Sequence, residues 1–260
     1  MNKGLLVVSF GTSVPETREK TIEAIEAELA AAFPERRIYR AWTSGIIRKK
    51  LLRTENLAID SAEEALERML ADGITDLLVQ PTHMLPGAEF AKAEAALREY
   101  APRFESVSLG KPLLSDEADI RRMAGILEDT FYYVPPAELM ALMGHGSETA
   151  EPNVYLLLNE AFDKDGYRHF RVGTVEATPG FAPITEAAKE RKPTKIHLLP
   201  FMVVAGDHAL NDMAGEEADS WASQLRSRGY EVDCILRGLG EYPKVRAAYV
   251  EHAKRAEALR

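Results

Sequence analysis

Four residues set far apart in the chain carry the types needed for metal chemistry: His145, Glu176, His208 and Glu89. Two imidazoles and one carboxylate, His145, His208 and Glu176, make a suitable donor set for a borderline divalent cation such as Co2+, Fe2+, Ni2+ or Zn2+ and leave coordination positions open for a substrate. Each also has a plainer reading. A strand-end histidine is often structural, Glu176 stands where it could cap a turn before Pro179 and Gly180, and His208 follows Gly206 and Asp207 as a first-turn residue. What argues for chemistry is the placement they share.

His145 ends the run LMALMGHGS at 139–147, an apolar stretch that reads as a buried strand opening into a glycine-flanked loop. The carboxyl ends of strands are where open α/β sheets bind their ligands. Similar runs recur along the chain at KGLLVVSF, ITDLLVQP and KIHLLP, alternating with helical patterns. Two parallel sheets flanked by helices are therefore expected. In the first half, Ser13 and Glu16 stand in capping-box spacing around Pro15. In the second half, the pattern predicts helices at 152–162 and 184–190 and one long helix over 209–228, and a final helix over 242–260.

FYYVPP at 131–136 interrupts the alternation, because two prolines cannot continue a helix. The expected division is an amino-terminal domain, 1–133, a second domain, 134–241, and a last helix, 242–260, returning to the first domain. The halves also match in order: SFGTS with MGHGS, YRAWTSG with FRVGTVE, and VQPTHMLPGAEF with LLPFMVVAGDHA. Two similar Rossmann- or flavodoxin-like domains from an internal duplication are thus expected to face one another across a cleft. Aligned in this way, Phe10 corresponds to His145, Gly45 to Glu176, and Glu89 to His208, with Glu89 facing the other three.

The 260 residues carry a net charge of −9, with 46% hydrophobic and 28% charged residues. This balance is that of an ordinary globular chain and argues against affinity for nucleic acid or an acidic membrane surface. No apolar run is long enough to span a bilayer, and no leader is visible, so a cytoplasmic protein is expected. The single Cys234 can form no internal disulfide and reads as a buried strand residue. Against the acidic background, Arg48, Lys49, Lys50 and Arg53 cluster in IIRKKLLR, with Arg40 just before. They read either as a solvated helix face or as a docking patch for an acidic small molecule. Thr12, Ser13 and Ser147 read as helix caps whose neighbouring amides could also bind carboxylates. His83 aligns with Met202 and reads as wall or core with a supporting role, while His169 and His252 are expected at the surface.

Taken together, SFGTS with its TREKTI helix, AWTSGIIRKKL, QPTHMLPGAEF, MGHGS, GTVEATPG and LLPFMVVAGDHA resemble the class II chelatases, in particular the anaerobic cobalt chelatases of the CbiK type, over nearly the whole chain. The resemblance implies a two-domain chelatase-like fold and insertion of Co2+, as substrate metal, into a metal-free tetrapyrrole, sirohydrochlorin or precorrin-2, in cobalamin biosynthesis. No ATP and no organic cofactor are implied. It assigns His145, Glu176 and His208 to the metal and matches Glu89 to an acidic residue of the cleft; because the macrocycle must lose two pyrrole protons as the metal enters, His145 is expected to be the principal base and Glu89 a catalytic residue that takes or relays a proton. The macrocycle would meet Phe10, Thr12, Ser13, Arg48, Lys49 and His83, its carboxylates countered by Arg48, Lys49, Lys50 and Arg53 or by the loop amides at Thr12 and Ser13. A two-lobed carrier without catalysis, or iron insertion toward sirohaem, remains open. A homo-oligomer is compatible with the sequence but not readable from it.

Overall fold

The structure is a computed structural model that describes residues 2–146 and 153–259. The expected helix start at Ser147 and Pro152 lies outside the described residues. In chain order the elements are β1 (Lys3–Ser9), α1 (Pro15–Arg18), α2 (Ala24–Ala32), β2 (Arg37–Trp42), α3 (Gly45–Glu55), α4 (Ala62–Ala71), β3 (Asp76–Pro81), α5 (Ala88–Tyr100), β4 (Ser106–Leu109) and α6 (Glu117–Thr130). There follow β5 (Leu139–Gly144), α7 (Val154–Lys164), β6 (Phe170–Thr174), α8 (Ala182–Arg191), β7 (Ile196–Pro200), α9 (Trp221–Ser227), β8 (Val232–Cys234), α10 (Pro243–Lys254) and β9 (Glu257–Ala258). Among the described residues no helix is long and apolar enough to cross a membrane.

This is an α/β fold of two parallel sheets flanked by helices. One sheet runs β2-β1-β3-β4-β9 and the other β6-β5-β7-β8, so the first four strands repeat one order, and among the described residues only β9 is antiparallel. The central strands β1 and β5 are buried along almost their whole length, which is why their sequences are continuous apolar runs rather than alternating ones. Helices cover them with stripes at helical spacing. In α4, Ala62, Ala65, Leu66 and Met69 are buried, and the helix begins on a capping box between Ser61 and Glu64. In α6 the buried set is Ile120, Met123, Ala124 and Leu127.

The chain divides into one unit of Met1–Ser115 with Val245–Arg260 and another of Asp116–Lys244. The division precedes α6, not the 131–136 run chosen from the sequence. Prolines end a helix locally, but α6 packs on α7, and packing decides which unit owns it.

Several local expectations are corrected. The Ser13–Glu16 box does not form: Val14 is the cap residue of α1, and its N–H donates to Thr12 Oγ1 at 3.3 Å. The long helix over 209–228 is instead a π-turn, Ala209–Met213, a loop and the short α9, capped by Ser220. Gly215 comes so close to Asn211 O that an added Cβ would lie 2.3 Å from it, and the chain turns there. The last helix stops at Lys254, after which β9 pairs with Ser108 and Leu109 of the exposed β4 edge. His169 and His252 are buried, not superficial: His169 pairs with Glu128 at 3.2 Å, and His252 Nδ1 lies 3.1 Å from Lys111 O. Cys234 is only half-buried.

Candidate metal centre

His145, Glu176 and His208 meet in the second unit, where each offers a ligand atom and these atoms all lie within 4.8 Å of one another. Strand register brings the first two together. Gly144 on β5 lies opposite Thr174 on β6, and the ladder continues past the strand ends. Val175 N–H donates to Gly144 O at 2.9 Å and Glu176 N–H to His145 O at 2.8 Å. Their side chains approach to 3.7 Å between His145 Nδ1 and Glu176 Oε2. His208 arrives from the third strand, at the head of the π-turn beyond β7, with its ring edge-on to that of His145 at 4.8 Å between centroids.

His145 and Glu176 stand on tightly tied backbone. Thr174 Oγ1 donates to Ala177 O at 3.0 Å and accepts from Gly180 N–H at 2.8 Å, closing the loop that carries Glu176. Asn153 caps α7 with its Oδ1 and ties Thr178 O with its Nδ2 at 3.0 Å. On the other side Gly146 N–H donates to the Tyr155 hydroxyl at 3.2 Å, and burial pushes that phenol's pKa up. Gly146 has φ +102° and no room for a side chain. Asp212 stands behind His208, its Oδ2 2.8 Å from Nδ1.

The same backbone bond recurs in the first unit, where Ser44 N–H donates to Phe10 O at 3.2 Å. Ser44, not Gly45, is therefore the structural counterpart of Glu176. The sequence match through Arg40 and Arg171 is shifted by one position, since Val7 pairs with Arg40 whereas its counterpart Leu142 pairs with Val172. With phenylalanine, serine and glutamate at these three places, the first unit does not repeat the donor set.

The remaining candidates lie in the first unit. Glu89 is in the first turn of α5 and pairs with Lys92 at 2.5 Å. Phe10 is about half exposed, at 48%. Thr12 is buried, and Ser13 Oγ accepts from Lys50 Nζ at 3.0 Å. Arg48 is not a free cation: its Nε donates to Ile59 O at 2.7 Å, and it pairs with Glu64. Arg40 is likewise taken up by Glu26 and Glu23. Lys49 and Arg53 are exposed on α3 with no ion-pair partner among the described residues.

His83 is buried against Phe90, with Nε2 3.5 Å from Thr43 Oγ1 and Nδ1 unpartnered. Desolvation pushes its pKa down to about 4, against a smaller upward pull from Glu89. The ordinary histidine of the unfolded chain takes a proton below about pH 6.5, which the buried ring refuses until about pH 4. His83 thus lowers stability progressively as pH falls through that window and has no such effect above it. Replacing it with methionine, the residue at Met202 in the repeat, should flatten the pH dependence of Tm between pH 7 and 4, removing up to about 3 kcal/mol of acid sensitivity. Parallel curves for the two proteins would refute this account.

Sequence reasoning passed over Asp212, Tyr155, Thr174 and Asn153. Only Asp212 left a usable signal, its spacing of four from His208. The others act through backbone bonds that sequence does not display.

Comparison with known proteins follows the same lines. The model of the family described as cobalt chelatase (CbiK) matches residues 3–258. The chain is similar to the sirohydrochlorin cobaltochelatase of Salmonella typhimurium, with 37% identity over 256 residues, covering 98% of this chain and 97% of that one. It is also similar to sirohydrochlorin cobaltochelatase CbiKC of Nitratidesulfovibrio vulgaris, with 30% identity over 258 residues, covering 96% and 89%. Among solved structures, SirB from Bacillus subtilis with Fe3+ shares the fold, with a TM-score of 0.67 at 15% identity, covering 98% of this chain and 95% of that one.

Proposed function

The chain belongs to the cobalt chelatase (CbiK) family, and from that premise we propose that it inserts Co2+ into sirohydrochlorin using His145, Glu176 and His208 as the metal-holding group. The observation that carries the assignment of residues is the meeting of their three ligand atoms within 4.8 Å on strand ends far apart in sequence. The cation is a substrate, so the site must hold it and then let it go. Two neutral imidazoles and one carboxylate, without thiolate, suit that task better than a closed structural site. His145 and Glu176 are exposed, which leaves them accessible to an incoming macrocycle.

As the metal enters, the macrocycle loses two pyrrole N–H protons. Transfer of the ion frees the imidazole lone pair that held it, and His145 then becomes a base beside the atom losing its proton. Glu89 is the proposed acceptor or relay for a proton on the first unit. Neither ATP nor an organic cofactor enters this scheme, and the expected setting is the cytoplasm.

The direct test is anaerobic insertion of Co2+ into sirohydrochlorin followed by absorbance, with Fe2+ in parallel because this donor set leaves selectivity to geometry and supply. Acceleration over the protein-free rate is expected. Stoichiometric binding of the macrocycle at the protein-free rate would replace the enzyme by a carrier.

The carboxylates of sirohydrochlorin need cations, and α3 supplies them through Lys49 and Arg53, with Arg48 consumed elsewhere. Replacing Lys49 and Arg53 together with alanine should raise KM for sirohydrochlorin by roughly 2- to 10-fold, the worth of two exposed ion pairs, with kcat little changed. An unchanged KM would remove the docking role from this helix.

A further inference from the structure

The segment DHALNDM at 207–213 places a carboxylate four residues after His208, and the π-turn brings the two together. Ala214 N–H reaches back to Ala209 O at 3.2 Å, the wide spacing of a π-turn, and Asn211 Nδ2 donates to Asp207 Oδ1 at 2.9 Å across the same turn. Single π-turns of this kind interrupt ordinary helices often at functional positions. Asp212 Oδ2 stands 2.8 Å from His208 Nδ1, yet Asp212 is not one of the residues whose ligand atoms converge. Its carboxylate therefore grips the ring from behind and leaves the ion to the other three.

An ionised carboxylate only accepts, so the proton in this bond belongs to Nδ1 and the lone pair of the ring belongs to Nε2. We propose that Asp212 is a positioning residue, holding His208 in the Nδ1–H tautomer so that Nε2 is the nitrogen presented to the metal. The negative charge behind the ring also strengthens the donor, as carboxylates do behind metal-bound histidines generally. His145 is held differently. Its Nδ1 lies 3.3 Å from Gly146 O and 3.7 Å from Glu176 Oε2, a carboxylate already assigned to the metal. The two histidines are thus unequal: the His208 ring is anchored by a carboxylate of its own, and the His145 ring is not. This inference rests on the reading of His145, Glu176 and His208 as the Co2+ site.

The test is titration of the full chain with Co2+ alone, reading affinity and the visible spectrum of the bound ion, with Tm measured alongside. Asp212→Ala should weaken Co2+ binding by roughly 10- to 100-fold and change the spectrum. Tm should move little, since Asp212 is nearly half exposed, at 45% of its side chain. Asp212→Asn keeps an amide oxygen able to accept from Nδ1–H but loses the charge and can turn its amide, so its affinity should fall between those of the wild type and the alanine variant, and it carries the test if the alanine variant folds poorly. Wild-type affinity in Asp212→Ala, while His208→Ala has lost it, would overturn the proposal. So would equal losses in the alanine and asparagine variants, because a retained acceptor would then make no difference. Failure of the wild type to bind Co2+, or undiminished binding by His208→Ala, would instead sink the metal-site reading itself, and that result is seen without touching Asp212.

Discussion

Replacing His145 with alanine is expected to abolish catalysed Co2+ insertion, lowering kcat for sirohydrochlorin by about 10²- to 10⁴-fold, the usual worth of a positioned acid–base group. The expectation follows from where the side chain stands. It is one of three ligand atoms within 4.8 Å, it lies within 3.7 Å of Glu176, and its ring meets that of His208 edge-on. On the proposed reading, removing it takes away both a metal ligand and the base. It removes little packing, because half of the side chain is exposed, so Tm should stay within a few degrees of wild type. Both quantities are measured on the same preparation, by absorbance-monitored insertion and thermal unfolding. A variant that folds normally and retains more than about a tenth of the wild-type rate would move the base to another residue.

The second large effect is expected at Gly146, which touches the ion in no reading. Its backbone has φ +102°, where an L side chain is strained, and an added Cβ would lie 1.8 Å from Glu176 O. Backbone atoms cannot rotate away as a side chain would. Gly146→Ala must therefore push apart the two loops that carry His145 and Glu176 and break the bond from Glu176 N–H to His145 O. Strain of about 1–3 kcal/mol and loss of a hydrogen bond worth about 1 kcal/mol give roughly 2–4 kcal/mol in all. For a unit of this size that corresponds to a fall in Tm of roughly 5–15 °C. Co2+ affinity should drop with it, by more than about 10-fold if the ligand triangle opens. Wild-type Tm together with wild-type Co2+ affinity would show that the loops separate without disturbing the site.

The sequence alone determined the fold class and singled out the three residues proposed to hold the metal. A parallel sheet buried on both faces needs continuous apolar strands, and those runs, alternating with helical stripes, are plain in the chain. Strand ends follow from the same pattern, so His145 beyond β5 and Glu176 beyond β6 were legible as residues of one sheet rim, and the repeat between the halves singled out His208. Which half-repeat residues correspond was legible only to within one position. The match through the arginines assigned Gly45 to Glu176, and the hydrogen-bond register assigns Ser44, because pairing between strands is a contact that a linear pattern does not record.

Tertiary structure decided the rest, and the reason is the same in each case. His169 and His252 are buried where partners distant in sequence, Glu128 and the Lys111 carbonyl, each meet one ring nitrogen; Arg48 is bound because Ile59 and Glu64 lie beside it. The tail after Lys254 becomes a strand because the β4 edge offers unpaired backbone groups, not because its residues favour a strand. Gly146 is required by the carbonyl of a residue thirty positions on, a neighbour that no local pattern announces. Residue types and their periodicity are properties of the chain, whereas satisfaction of a polar group, space for a Cβ and the tautomer of an imidazole depend on neighbours that only folding brings together.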